Sequence, residues 1–77
     1  MQVKVLFFGV LTEVAGTDCR FYEEVYSTGD LMHRITDDYP EMEHYNFRIS
    51  LNSEFTSEEQ KLNDQDEVAL LPPFAGG

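Results

Sequence analysis

One amphipathic helical segment lies in the middle of this sequence, with strand-like segments on both sides of it. Ser27 or Thr28 can cap the start of this helix, and Pro40 ends it because proline lacks the backbone N–H that a helix needs. The apolar stripe near helical spacing consists of Leu31, Met32, Ile35 and Tyr39. A chain of 77 residues buries only a little over ~60% of the surface exposed on unfolding. We therefore expect one small domain in which this helix covers a single sheet.

The segments around the helix predict the sheet. β-branched and aromatic residues favour strands, and turn-forming residues separate the runs. The predicted strands are residues 3–8, 19–26, 46–51 and 67–71, with a brief additional pairing at 55–56. Residues 10–15 can form one helical turn, and residues 41–45 and 58–61 are polar connections. The order ββα followed by two or three strands predicts an α+β fold, with one main helix packed on one face of the sheet.

Side-chain alternation predicts which strand residues are buried. If Lys4 faces water, Val3, Val5 and Phe7 point to the core, while Leu6 and Phe8 point outward with Lys4. By the same rule, Glu67 in the last strand sends Val68 and Leu70 inward, and Ala69 and Leu71 outward. Phe55 can extend the outward set. These apolar groups on the uncovered face predict an interaction surface, although a covering loop or ordinary scattered surface residues would also account for them.

Composition restricts the classes of partner. Fifteen acidic residues against five basic ones give a net charge of −10, which disfavours nucleic acid and anionic membranes and favours basic protein surfaces. Solubility alone, or life in high salt, explains the charge equally well. No apolar run approaches a membrane span, and the start of the chain lacks the pattern of a signal peptide. We expect a cytoplasmic protein.

No catalytic or metal-binding constellation of side chains is visible. His33 and His44 lack metal-site spacing, and Cys19 has no second cysteine with which to form a disulfide or zinc site. A phosphate-binding glycine loop is also absent. We expect no cofactor and no metal on this chain, which points to a carrier or binding module and leaves the glycines at positions 76 and 77 as the chemical feature.

The C-terminal segment, residues 72–77, reads Pro-Pro-Phe-Ala-Gly-Gly. Two prolines project the following residues as a stiff arm and reduce the ordering cost of about 1–2 kcal/mol per residue. Phe74 can anchor in a partner pocket, and the glycines can be threaded into a narrow site because they lack side chains. A carboxylate must be activated before it reacts, for example as an acyl-adenylate formed with ATP. A persulfide or an amine can then displace AMP.

At both ends the chain resembles the small-subunit, sulfur-carrier family of molybdopterin synthase. The matching segments are residues 4–8 (Lys-Val-Leu-Phe-Phe), 13–18 (Glu-Val-Ala-Gly-Thr-Asp), 51–52 (Leu-Asn) and 66–77, which runs from Asp-Glu-Val-Ala to Gly-Gly. A Gly-Gly end alone is shared with ubiquitin-like proteins and the thiamin sulfur carrier. The combination with the preceding strand and the two prolines is far more specific.

The resemblance implies a β-grasp, ubiquitin-like fold with a small mixed sheet, in one domain over residues 1–77 that carries a flexible tail at 72–77. It implies that an E1-like enzyme adenylates Gly77 with ATP, and that a sulfur donor protein supplies the sulfur of a thiocarboxylate. The large synthase subunit would receive the tail and pass the sulfur to cyclic pyranopterin monophosphate, in a heterotetramer of two small and two large subunits. The implied partner-binding residues are Phe8, Phe55, Leu71, Pro73, Phe74, Ala75 and Gly76.

Three alternatives remain open at this point. The chain could carry sulfur for thiamin or another pathway, or it could be a ubiquitin-like modifier attached to lysines. It could also be a plain interaction domain in which the Gly-Gly end has no chemical role. One local departure from the family is Gln65, which stands where the family turn usually has glycine. We expect Gln65 either to take a strained left-handed conformation or to change the turn type.

Overall fold

A computed structural model describes residues 1–73 of the chain. Within that range the chain forms a five-stranded mixed sheet, two α-helices and a short 3-10 helix. In chain order the elements are β1 (Gln2–Phe7), α1 (Val10–Ala15), β2 (Cys19–Glu23), α2 (Thr28–Asp38), the 3-10 helix (Pro40–His44), β3 (Arg48–Leu51), β4 (Glu54–Thr56) and β5 (Glu67–Leu71). This order confirms the α+β prediction.

The first and last strands pair in the middle of the sheet, whose order is β2-β1-β5-β3-β4. β1 and β5 run parallel, and every other neighbouring pair is antiparallel. The parallel pair needs a long crossover, and α2 lies within it. The central parallel pair and the single main helix give the β-grasp architecture that the resemblance implies.

The helices begin and end where their local chemistry requires. The Ser27 side chain accepts a hydrogen bond from the Asp30 backbone N–H at 3.1 Å and so caps α2. The helix ends at Asp38, before Pro40, as predicted. Gly16 takes a left-handed conformation, φ +72°, at the end of α1, and its N–H donates to the Thr12 carbonyl.

The core lies between α2 and one face of the sheet. Its buried hydrophobic residues form one cluster: Val3, Val5, Phe7, Leu11, Tyr22, Val25, Leu31, Ile35, Met42, Leu62, Val68 and Leu70. The alternation predicted for β1 and β5 is confirmed at each inward position. Met32 and Tyr39 of the predicted helical stripe are only partly buried against this cluster.

Several sequence-based boundaries were wrong. β2 ends at Glu23 instead of Tyr26, because Glu24 takes a positive φ of 58° and turns the chain toward α2. The predicted polar connection at 41–45 is mostly a 3-10 helix, and it contributes Met42 to the core. Likewise, the loop after β4 returns to the core at Leu62. Gln65 does adopt the left-handed conformation, with φ +70°.

Candidate functional site

The sheet face that α2 leaves uncovered carries a continuous row of side chains, here called the outer face. Residues that pair in register point to the same side of a sheet. One such row crosses all five strands: Cys19, Leu6, Ala69, Ser50 and Phe55. Ser50 in this row is buried, at 8% exposure, whereas Phe55 at the end of the row is exposed.

Large apolar groups lie at the end of that row and beside it. Phe55 is 53% exposed and Phe8 is 42% exposed. The Phe8 N–H donates to the Leu70 carbonyl at 3.1 Å, which continues the β1–β5 pairing one residue past the end of β1. Leu71, the last residue of β5, is half-buried on the same face. The outward placement predicted for Phe8, Phe55 and Leu71 agrees with their positions in the sheet.

The outer face also holds Phe21, which the sequence analysis did not select. Phe21 is 54% exposed and pairs with Lys4, so it points outward while its neighbour Tyr22 is buried. The alternation along β2 already separates these two aromatic residues. Only the register of β2 against β1 tells which one faces the core.

Arg48, also on the outer face, is a second residue that the sequence analysis missed. It is exposed, it starts β3, and its guanidinium carbon lies 4.0 Å from the centre of the Phe55 ring. Its partner in the β3–β5 pairing is Leu71. The guanidinium and the Phe55 ring therefore stand together beside the end of β5.

The base of the C-terminal segment packs against the turn after β1. Pro72 is buried, and Gly9 approaches it so closely that a Cβ at position 9 would lie 2.7 Å from the Pro72 Cγ. Gly9 itself has φ +58°, a conformation that favours glycine. Pro73 is exposed. The remaining predicted tail residues, Phe74, Ala75, Gly76 and Gly77, lie outside the described residues.

A polar network occupies the opposite side of the sheet and serves the fold. Tyr22 donates to the Asp38 carboxylate at 2.8 Å, and Arg20 lies 3.1 Å from the same carboxylate. Arg20 also donates to the Tyr39 hydroxyl at 3.0 Å. Burial of the hydroxyl, followed by the hydrogen bond to Asp38, raises the pKa of Tyr22 far above its ordinary value. These contacts join β2 to the end of α2, away from the outer face.

The side chains in the described part of the chain do not form a metal site or a membrane span. Residues 1–73 contain no group of three or more His, Cys, Asp or Glu residues that could hold a metal ion. In the same range, no helix combines the length and the apolar character that crossing a membrane requires. Cys19 is half-buried on the outer face. The outer face combines exposed apolar side chains with the base of the C-terminal segment at Pro72.

Relatives of this chain share its full length. The model of the ThiS family matches residues 5–77. The chain is 36% identical to the molybdopterin synthase sulfur carrier subunit of Chlamydomonas reinhardtii over 83 aligned positions, with 100% of both chains covered. It is 32% identical to the molybdopterin synthase sulfur carrier subunit of Dictyostelium discoideum, with 99% of this chain and 96% of that protein covered.

Solved structures agree with the fold. A putative molybdopterin converting factor subunit 1 from Pyrococcus furiosus superposes with a TM-score of 0.86 at 25% identity, covering 95% of this chain and 98% of that one. Small archaeal modifier protein 1 from Methanosarcina acetivorans gives 0.85 at 28% identity, with coverage of 99% and 96%. In the complex of subunits 1 and 2 of the Helicobacter pylori molybdopterin-converting factor, the matching chain gives 0.75 at 26% identity, with both chains fully covered. This chain belongs to the ThiS family of ubiquitin-like sulfur carriers, alongside the molybdopterin synthase sulfur carrier subunits.

Proposed function

We propose that this chain is the sulfur carrier subunit of a molybdopterin synthase, and that it carries sulfur as a thiocarboxylate on Gly77. The observation that carries the proposal is the outer face, where exposed Phe8 and Phe55 and half-buried Leu71 adjoin the strand that leads directly into Pro72 and Pro73. A surface that docks a partner and a tail that enters its active site are thus adjacent. Full-length similarity to sulfur carrier subunits from two eukaryotes supports the same assignment.

The docking partner in this proposal is the large subunit of the synthase. Phe8 and Phe55 are large exposed apolar groups on one face, and burying them against a partner removes them from water. The Helicobacter pylori relative is a complex of subunits 1 and 2. The tail residues that contact the partner would be Pro73, Phe74, Ala75 and Gly76.

The chemistry takes place at Gly77, and other proteins supply the catalysts. A carboxylate oxygen of Gly77 attacks the α-phosphorus of ATP on an E1-like enzyme, releasing pyrophosphate and leaving an acyl-adenylate. The terminal sulfur of a donor's persulfide then attacks the carbonyl carbon and displaces AMP. A thiol then attacks the donor's sulfur in the resulting acyl disulfide, which forms a disulfide between the thiol and the donor and releases the thiocarboxylate on Gly77. ATP is thus used by the activating enzyme, and this chain needs no bound cofactor of its own.

Reconstitution tests this assignment. The thiocarboxylated chain, mixed with its large subunit and cyclic pyranopterin monophosphate, should yield the dithiolene product. Leu71→Asp should weaken the complex about tenfold or more, because it places a charge at a desolvated apolar contact. His33→Asp is the matched control, since it puts the same carboxylate on the exposed side of α2. Both variants should retain the wild-type fold in circular dichroism.

Two results would contradict the proposal. One is a thiocarboxylated chain that binds the large subunit but never converts the precursor. The other is full activity in a variant with one extra residue after Gly77, since that residue would remove the reacting carboxylate from its position. A large loss of stability in Leu71→Asp would instead show that the residue belongs to the core.

The second candidate function is protein modification, and the similarity of this chain to a small archaeal modifier protein favours it. The Methanosarcina acetivorans relative is a small archaeal modifier protein, and it resembles this chain with a TM-score of 0.85. In that case an amine of a target lysine, instead of a persulfide, would displace AMP and form an amide with Gly77. Proteomic detection of Gly-Gly remnants on lysines, dependent on this chain, would support a modifier. Persistent absence of such remnants in cells that make the thiocarboxylate would exclude it.

A further inference from the structure

Arg48 is an unusual cation on the outer face. Lys4, the other cation there, pairs in register with Glu67, so an acidic side chain stands opposite it. Arg48 instead stands opposite Leu71, which is apolar. Among residues 1–73, the ion pairs join Met1 to Glu24 and Arg20 to Asp38, and neither involves Arg48. In a chain with 15 acidic residues, this guanidinium is placed over an aromatic ring instead of a carboxylate.

The Phe55 ring holds the Arg48 guanidinium at an exposed position on the outer face. With its carbon 4.0 Å from the ring centre, the guanidinium is close enough for a cation–π interaction. The ring contacts the guanidinium and restricts its position, so less freedom is lost when its N–H groups meet an acceptor. A guanidinium has donors in a rigid fork that matches the two oxygens of a carboxylate.

We propose that Arg48, held over Phe55, is a specificity-determining contact that binds an aspartate or glutamate side chain of the protein docking on the outer face. The inference rests on the proposed function in taking the large synthase subunit as that protein. Charge complementarity argues for this occupant. An acidic group on the partner is repelled by the rest of a chain of net charge −10, so it gains an attractive position only beside an exposed cation.

The placement of Arg48 would let the contact discriminate between the matching large subunit and other partner proteins. Arg48 and Leu71 are paired in the sheet, so the carboxylate would lie next to the apolar surface that receives Leu71. A partner with an apolar or basic residue there would leave the guanidinium desolvated and unpaired, which disfavours the wrong complex. Arg48 would thus select the matching large subunit from other proteins that bind ubiquitin-like sheets.

Binding of the large subunit to single variants tests the proposal. Arg48→Met keeps an apolar stem over Phe55 but removes the donors and the charge. Arg34→Met is the matched control, because Arg34 lies on α2 and also places its guanidinium near an aromatic ring, 5.6 Å from the centre of Tyr22. Both variants change the net charge equally. Isothermal titration calorimetry should be run at low and at high salt.

We expect Arg48→Met to raise Kd about tenfold at low salt, the size typical of a lost charge-assisted contact, and Arg34→Met to stay within about twofold. The salt dependence of Kd should be smaller in Arg48→Met than in the wild type. Arg48→Lys keeps the charge but not the forked arrangement of donors, so its Kd should lie between those of the wild type and Arg48→Met. Thermal melts of every variant show whether folding is preserved, and Arg48→Lys keeps the test open if Arg48→Met fails to fold.

The outcomes separate the inference from the proposed function. Equal Kd values and equal salt dependence for wild type, Arg48→Met and Arg34→Met would overturn the role of Arg48 while leaving the complex intact. A wild-type chain that does not bind the large subunit would overturn the proposed function and this inference with it. A tighter complex in Arg48→Met would identify Arg48 as a shield over Phe55 and would also refute the contact.

Discussion

The contact between Gly9 and Pro72 gives a sharp prediction about the base of the tail. Gly9 has φ +58° and ψ −137°, a region that essentially only glycine occupies. A Cβ built on Gly9 would lie 2.7 Å from the Pro72 Cγ and 3.5 Å from its Cδ. The first of these distances is too short for a real contact. Gly9→Ala therefore both strains the backbone and pushes against the proline ring.

The expected cost follows from these two effects. A residue with a side chain in this backbone region costs about 1–3 kcal/mol. Forcing an extra methyl group into a packed position adds about 1–3 kcal/mol. We expect Gly9→Ala to lower the free energy of unfolding by about 3 kcal/mol, given partial relaxation of the ring. At about 4–8 °C per kcal/mol for a domain of this size, the melting temperature should fall by more than about 10 °C.

Two comparisons separate the contact from the backbone strain. Gly16→Ala places a Cβ at φ +72° with no atom within 4 Å, so it should cost only about 1–2 kcal/mol. Pro72→Ala removes Cγ and Cδ, the two ring atoms nearest the new Cβ. In urea unfolding, Gly9→Ala should therefore cost about 1 kcal/mol less in the Pro72→Ala background than in the wild type. An equal cost in both backgrounds would refute the packing of Pro72 on Gly9.

Three further predictions concern stability. The pKa of Tyr22 is raised in the folded state, so folding binds the phenolic proton more tightly, and the free energy of unfolding should fall as the pH rises above about 10. Tyr22→Phe should reduce this loss of stability at alkaline pH. It should also lower the free energy of unfolding by about 1 kcal/mol at neutral pH, because it removes the hydrogen bond to Asp38. An unchanged pH profile in urea titrations would contradict the raised pKa of Tyr22. Gln65→Gly should stabilise the fold by about 0.5 kcal/mol, because relief of the left-handed strain exceeds the added entropy of the unfolded chain, and a lower urea midpoint would contradict this reasoning. Salt should raise the melting temperature between about 0.01 M and 1 M KCl, as screening weakens self-repulsion at net charge −10, and a flat profile in scanning calorimetry would refute it.

The sequence predicted those parts of the fold that depend on local periodicity. Alternation along β1 and β5 identified Val5, Phe7, Val68 and Leu70 as core residues, because a strand has a strict period of two. Ser27 was one of two residues proposed to cap α2, and capping depends only on neighbours in the chain. The outward placement of Phe8 and Leu71 was predicted for the same reason.

Other features depend on contacts between distant segments and had no local signal. Met42 and Leu62 are single apolar residues in polar stretches, so no periodicity marked them as buried. Phe21 and Tyr22 are adjacent aromatic residues, and only pairing with β1 decides which of them is exposed. The stacking of Arg48 on Phe55 requires the β3–β4 hairpin register. These tertiary effects explain why the sequence analysis selected Phe55 but not Arg48.

The central proposal is that sulfur is carried at Gly77, and mass spectrometry of the whole chain and of its peptides tests it directly. The chain is incubated with its E1-like enzyme, ATP, a persulfide donor and a thiol, and its mass is measured before and after digestion. We predict a gain equal to the replacement of one oxygen by one sulfur atom, confined to the peptide that ends at Gly77, and no gain when ATP is omitted. A chain that forms the adenylate but never shows this gain, or that acquires sulfur only at Cys19, would contradict the account.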